Sequence, residues 1–120
     1  MSIAVKPVSA SPAHVERVVT PAGIELWRVH SDVVPLVAMS FVFEGGAAQD
    51  RLDRPGVAQM VAQLLDEGAG PYDSDAFQER LADRAIELSF SVGQDSLNGG
   101  LRVLTRHLDE AAALTRLALA

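Results

Sequence analysis

The sequence contains no cysteine, which excludes disulfide cross-links and thiolate metal sites. It also lacks a basic excess, since 10 Lys and Arg stand against 16 Asp and Glu and the formal net charge is −6. A nucleic-acid-binding surface is therefore not expected. No apolar run approaches the roughly 20 residues that a membrane span needs. The segment Met1 to Ala13 has no apolar stretch of the kind that signal peptides carry. As written, the chain is predicted to be cytoplasmic, with a periplasmic location as the alternative if a leader has been removed.

What is present has the size and composition of one globular domain. The chain has 120 residues, of which 48% are hydrophobic and 22% charged, ordinary values for a protein with a packed core. Residues 1–12 have no periodicity and are expected to be extended or disordered. The folded region is therefore predicted to span residues 13–120.

Strand patterns and helix patterns both occur, which predicts an α+β fold. Strands are expected at 15–19, 24–30, 36–43, 86–92 and 96–104, and helices near 55–65, 73–84 and 108–120. The run from Leu36 to Phe43 is almost continuously apolar and is the best candidate for a central strand. Gly45 and Gly46 follow it, and we interpret this pair as backbone freedom at a bend rather than as a phosphate cradle.

The first predicted helix has a single apolar stripe. Its apolar residues recur at i, i+3, i+4, i+7 and i+8, the spacing of one face of an amphipathic helix. Pro55 suits the first turn, and Gly68 and Gly70 supply stop signals. The stripe consists of Val57, Met60, Val61, Leu64 and Leu65.

This helix and its surroundings resemble a known family. A strand ending in Phe43-Glu44-Gly45-Gly46, a short loop and then Gly56-Val57-Ala58 is similar to the start of an M16 peptidase domain (pitrilysin, insulinase, mitochondrial processing peptidase). Three further segments, 64–70, 77–83 and 88–91, are similar to the corresponding segments of bacterial members of the family, especially the inactive ones. The resemblance covers roughly Val18 to the end. It implies a two-layer, LuxS/MPP-like domain of helices on a mixed sheet, of which this chain is an N-terminal fragment.

The resemblance also implies that catalytic residues are missing. In the family, Gly-[Val/Leu]-Ala is followed by His-x-x-Glu-His, and these positions are Gln59, Ala62 and Gln63 here. The motif binds zinc through two imidazoles one turn apart, while the carboxylate takes a proton from the metal-bound water. The neutral amides of Gln59 and Gln63 are poor zinc ligands, and the methyl group of Ala62 cannot accept a proton. We therefore expect no catalytic residue, no metal ligand and no cofactor in this chain, with zinc only in a catalytic partner.

A substrate-binding segment follows from the same resemblance. In active relatives an edge strand beside the metal helix, with a motif similar to Asn-Ala-x, pairs with the substrate backbone. The matching positions are Ser89, Phe90 and Ser91. Strand addition requires only a free edge, so it survives the loss of zinc ligands. The alternative is an ordinary sheet strand whose edge is covered.

Three functions remain open from the sequence. The first is a non-catalytic M16 subunit or domain that pairs with an HxxEH-bearing M16 partner and helps bind peptide substrate. The second is a scaffold region of a zinc metallopeptidase whose active site lies elsewhere in the full-length chain. The third is an interaction module without a proteolytic context. Separately, the last helix carries no stop signal, so the chain is expected to continue beyond it, and the isolated fragment is expected to self-associate or to be marginally stable.

Overall fold

The computed structural model describes residues 14–120, which form two compact units divided between Val34 and Pro35. The predicted extended segment 1–12 lies outside the described residues. The first unit is an antiparallel hairpin of β1 (Val15–Val19) and β2 (Glu25–Val29). Two cross-strand ion pairs, Glu16–Arg28 and Arg17–Glu25, join its strands. Each arginine lowers the pKa of its carboxylate partner.

The second unit contains a three-stranded sheet and three helices. The strands are β3 (Leu36–Glu44), β4 (Glu87–Val92) and β5 (Ser96–Leu104), and the helices are α1 (Val57–Leu64), α2 (Ser74–Asp83) and α3 (Leu108–Ala118). The strand order is β3-β5-β4, and both pairs are antiparallel. The α+β fold class is confirmed, although the sheet within residues 35–120 is antiparallel and not mixed. None of the helices in residues 14–120 is long and apolar enough to cross a membrane.

The central strand of this sheet is β5, so the prediction that Leu36 to Phe43 would be central is wrong. Strand β5 pairs with β4 through a tight turn on one side and with β3 on the other. A Cβ atom at Gly99 would lie 2.1 Å from ring atoms of Phe41, the residue directly opposite on β3. Glycine at position 99 leaves the space that this ring fills, which accounts for a glycine inside a strand despite its low strand propensity.

The core lies between one face of β4 and β5 and the helices α2 and α3. Helix α2 begins as expected, because the Asp73 side chain accepts a hydrogen bond from the Ala76 backbone N–H at 2.9 Å. Its residues Phe77 and Leu81 are buried. The remaining members of the buried cluster are Ile86, Leu88, Leu101, Val103, Ala111, Leu114 and Ala118.

Candidate functional site

The bend after β3 fixes the start of the segment that carries the M16-like motif. Gly45 has φ 101°, in the left-handed region, and a Cβ atom at Gly46 would lie 2.4 Å from the Gly93 carbonyl oxygen. The backbone N–H groups of Gly45 and Ala47 donate to the carbonyls of Asp95 and Gly93, at 2.8 and 3.0 Å. The glycine pair thus allows the chain to lie against the β4–β5 turn.

A carboxylate from the loop stabilises the N-terminus of α1. Asp50 accepts hydrogen bonds from the backbone N–H groups of Gly56 at 2.8 Å and Ala58 at 3.0 Å. Gly56, with φ 90°, is the N-cap residue. Pro55 therefore precedes the helix, and the prediction that it occupies the first turn is wrong. Asp50 supplies the oxygen atoms that an N-cap side chain ordinarily supplies, and its negative charge is favourable at a helix N-terminus.

The three positions of the degenerate motif lie in two different environments. Helix α1 packs against β4, and Ala62 is its buried residue, with 3% of its surface exposed. Gln59 and Gln63 are exposed. The position that matches the catalytic glutamate is thus occupied by a methyl group inside a packed contact, while the two amides contact solvent.

Most of the apolar stripe of α1 is exposed. Its residues Val57, Met60, Val61 and Leu64 are all about half exposed or more, and Met60 reaches 63%. The helix packs through Ala62 and the half-buried Ala58, and of the stripe only Leu65, the C-cap residue, is half buried. Alanine side chains allow a helix backbone to approach a strand closely, and this contact turns the larger apolar residues outward.

No cluster of metal-ligating side chains occurs within residues 14–120. Of the three histidines, His14 and His30 flank the paired residues Val15 and Val29 at the open end of the β1–β2 hairpin, whereas His107 lies in the second unit. His30 contacts Asp32 at 2.8 Å in the first unit, and His107 lies beside Arg106 at 3.1 Å near the start of α3. Neither lies in α1.

The predicted substrate-binding residues lie on β4, which is an edge strand of the sheet in residues 35–120. Ser89 and Ser91 are exposed, and Phe90 is half buried against the core, edge-on to Phe41 at 6.3 Å between ring centres. The structure therefore brings the segment next to α1, as the resemblance implied. The binding role of Ser89, Phe90 and Ser91 stays a prediction.

Ser89 also lines a shallow hollow that sequence reasoning missed. Ser40 and Ser89 both lie opposite Gly100, one on each neighbouring strand. Together they form the floor of a hollow of about 160 Å³ on the sheet, bordered by the Glu87–Arg102 ion pair at 3.2 Å. The serine hydroxyls and the backbone of Gly100 make this floor polar and flat.

A larger groove lies between α2 and α3, and three of its charged residues, Arg80, Arg84 and Glu110, pair with one another. Glu110 contacts Arg84 at 2.8 Å and Arg80 at 3.6 Å, and Arg80 lies 4.5 Å from the centre of the Tyr72 ring. The hydrogen bond from Arg84 lowers the pKa of Glu110 below its usual value of 4.5. We interpret this cluster as a contact that joins two helices.

Comparisons with known proteins agree with this architecture. No family model matches the chain. It is 29% identical over 99 residues to the "Non-peptidase homolog YmxG" of Helicobacter pylori, which covers 82% of this chain and 22% of that protein.

Two solved structures share the fold. The peptidase M16 inactive domain from Pseudomonas fluorescens superposes with a TM-score of 0.78 at 23% identity, over 89% of this chain and 26% of that one. A protease from Helicobacter pylori gives 0.72 at 14% identity, over 88% and 25%. The chain thus spans about a quarter of the length of each protein. It has the fold of the corresponding part of an M16 inactive domain, and the M16 resemblance noted in the sequence is confirmed.

Proposed function

We propose that the chain is a non-catalytic M16-like subunit or domain that pairs with an HxxEH-bearing M16 partner and helps bind peptide substrate. The observation that carries the proposal is the environment of Ala62. At the position of the catalytic glutamate a methyl group is buried against β4, and the flanking positions carry amides in place of imidazoles. The names of the Helicobacter pylori relative and the Pseudomonas fluorescens structure support a non-catalytic role.

Zinc belongs, in this proposal, to the partner. Zinc sites in proteins are built from imidazole, thiolate and carboxylate ligands, and the exposed face of α1 offers two neutral amides at the motif positions. Peptide hydrolysis would therefore take place on the HxxEH-bearing chain, with this chain holding substrate.

Substrate binding is assigned to the outer edge of β4. Its inner edge pairs with β5 along the whole strand, and Ser89 and Ser91 have short exposed side chains that leave room beside the backbone. An extended peptide that adds to this edge would hydrogen-bond through its main chain, which gives affinity with little sequence preference.

The test is amide hydrogen exchange measured by NMR, with and without an unstructured peptide. Successive N–H groups of a strand point to opposite edges. The Gly93 N–H donates to the Ser96 carbonyl at 2.8 Å, so the N–H groups of Ser91 and Ser89 also face β5 and that of Phe90 faces outward. The outward amides exchange fast in the free protein and are expected to become protected on peptide addition, while the amides of β3 stay unchanged as an internal control.

A proline variant supplies the second arm of the test. Val92→Pro removes an outward backbone donor of β4 without removing a hydrogen bond to β5, so it is expected to weaken peptide binding. If the variant folds and binds peptide as tightly as the parent, or if peptide protects no β4 amide, the assignment of this edge is wrong.

The alternative function is a scaffold region of a zinc metallopeptidase whose active site lies elsewhere in the full-length chain. The similar fold of the Helicobacter pylori protease is the observation in its favour. An HxxEH sequence elsewhere in the same full-length chain would support this alternative. An HxxEH sequence on a separate protein that co-purifies with the chain would support the subunit proposal.

A further inference from the structure

Two histidines lie opposite each other at the open end of the β1–β2 hairpin. Val15 pairs with Val29 in the antiparallel register, and His14 and His30 are the next residues outward along the two strands. Residues directly opposite in an antiparallel pair share a face of the sheet, with Cβ atoms about 5 Å apart. The register therefore places the two imidazoles side by side on one face, and both residues are exposed.

The neighbouring pair on this face shows that opposite side chains meet here. Glu16 and Arg28 are the next residues along the same face, and they form an ion pair across the two strands. The hydrogen bond and the charge of Arg28 lower the pKa of Glu16, and the charges of His14 and His30 act in the same direction. Both imidazoles therefore lie close enough to influence a single carboxylate.

Asp32 orients the imidazole of His30. Its Oδ1 atom lies 2.8 Å from Nε2 of His30. When the Nε2–H group donates this hydrogen bond, the lone pair of Nδ1 is free to bind a metal ion. Histidine ligands of metal ions commonly donate their other ring N–H to a carboxylate in this way, which fixes the tautomer and the ring orientation. Asp32 thus acts as an orienting residue for His30.

We propose that His14 and His30 form a two-histidine site for a divalent transition-metal ion, with Cu²⁺ as the ion bound most tightly. Metal–nitrogen bonds of about 2.0–2.1 Å place the two ligating nitrogens roughly 3 Å apart, which opposite imidazoles on a hairpin can reach. Imidazole suits Cu, Ni and Zn ions, and Cu²⁺ has the highest affinity of the three for a given nitrogen site. No three such ligands converge within residues 14–120, so water would complete the coordination.

This site is separate from the zinc chemistry of the proposed function. It lies in the first unit, whereas the motif positions lie on α1 in the second. The expectation that the chain holds no metal ligand was based on those motif positions, and the two-histidine site departs from it. With one ligand beside each strand, a bound ion would join the open ends of β1 and β2, so it should stabilise the folded hairpin by mass action.

Titration of the untagged protein with Cu²⁺ tests the site through Trp27, the sole tryptophan, which lies three residues before His30. Three strand residues span about 10 Å, and a bound Cu²⁺ ion quenches indole fluorescence over such a distance. We expect saturable quenching with one Cu²⁺ bound per chain. Ni²⁺ and Zn²⁺ should compete for the same site with lower affinity.

Single-histidine variants distinguish a chelate from two independent surface ligands. His14→Ala and His30→Ala should each raise the Kd for Cu²⁺ by about tenfold or more, because the second imidazole of a chelate binds an ion that the first already holds nearby. The double variant should bind little more weakly than either single variant. His107→Ala is the matched control, since His107 lies in the second unit, and it should leave the Kd unchanged.

Both altered positions of the hairpin are exposed, so the variants should fold, which circular dichroism checks. If either His14→Ala or His30→Ala weakens Cu²⁺ binding no more than His107→Ala does, the two histidines do not form a chelate and the proposal is overturned. Unchanged Trp27 fluorescence on saturation with Cu²⁺ would equally exclude a site at this end of the hairpin.

Discussion

Ala62 illustrates how one small residue affects both chemistry and packing. An ionised carboxylate at this position would have to be desolvated against β4, whereas a methyl group is buried there without cost. The same methyl group cannot accept a proton from water. The absence of a proton acceptor at position 62 and the burial of its side chain are therefore two consequences of one residue, whereas the amides of Gln59 and Gln63 are exposed.

Restoring the glutamate is expected to destabilise the protein. Ala62→Glu should lower the free energy of unfolding by about 1–3 kcal/mol, because the new carboxyl group loses water without gaining a partner. The matched control is Gln63→Glu on the exposed side of the same helix, which should change the free energy by no more than about 0.5 kcal/mol. Urea denaturation of both variants measures the difference. Equal stabilities would mean that position 62 is not buried in solution.

Some elements could be predicted from the sequence and others could not, for physical reasons. Helix α2 was predictable, because Asp73 gives a local capping signal and Phe77 and Leu81 recur at helical spacing. The buried face of α1 was not, because large apolar residues dominate a periodicity pattern whereas close helix–strand packing selects alanine. The pairing of β3 with β5 includes the Phe41 ring over Gly99, a contact between residues 58 positions apart in the chain that no local pattern records.

The contact between β4 and α1 was anticipated only through the family resemblance, which placed Ser89, Phe90 and Ser91 beside the motif helix. The cap from Asp50 was missed altogether. Capping signals are ordinarily sought at the residue directly before a helix, and Asp50 lies six residues before the N-cap Gly56. A loop that folds back on the helix carries no sequence periodicity from which this contact could be inferred.

The Asp50 cap gives an expectation at the scale of the element. Asp50→Ala leaves the N–H groups of Gly56 and Ala58 without their acceptor, and it should cost about 0.5–2 kcal/mol of stability, as loss of an N-cap does. Amides of α1 should exchange faster, while those of α2 should not change. Asp53→Ala is the control, since Asp53 pairs only with the exposed Arg51 and contacts no helix end. A cap role is contradicted if both variants have the same effect.

At the scale of the whole molecule, the buried core and the exposed apolar surface lie on different elements. The core joins α2, α3, β4 and β5, whereas the exposed apolar residues of the second unit lie mainly on α1 and β3. Burial of apolar surface is the main source of stability, so the buried core of α2, α3, β4 and β5 should determine folding. The exposed apolar residues of α1 and β3 are available for contact with a partner, as the proposed pairing with an M16 chain requires.

Two leucine substitutions of the same kind separate these roles. Leu64 in α1 is 57% exposed, whereas Leu114 in α3 is 3% exposed, and both lie within helices. Leu114→Ala should lower the free energy of unfolding by about 2–5 kcal/mol, because it removes buried methyl groups and leaves a cavity. Leu64→Ala should change it by no more than about 0.5 kcal/mol, since its side chain is largely hydrated in the folded state and alanine favours helix. Urea titrations at one low protein concentration, at which association contributes least, provide the comparison. If Leu64→Ala costs as much as Leu114→Ala, the apolar stripe of α1 is part of the folding core in solution and is not available to a partner.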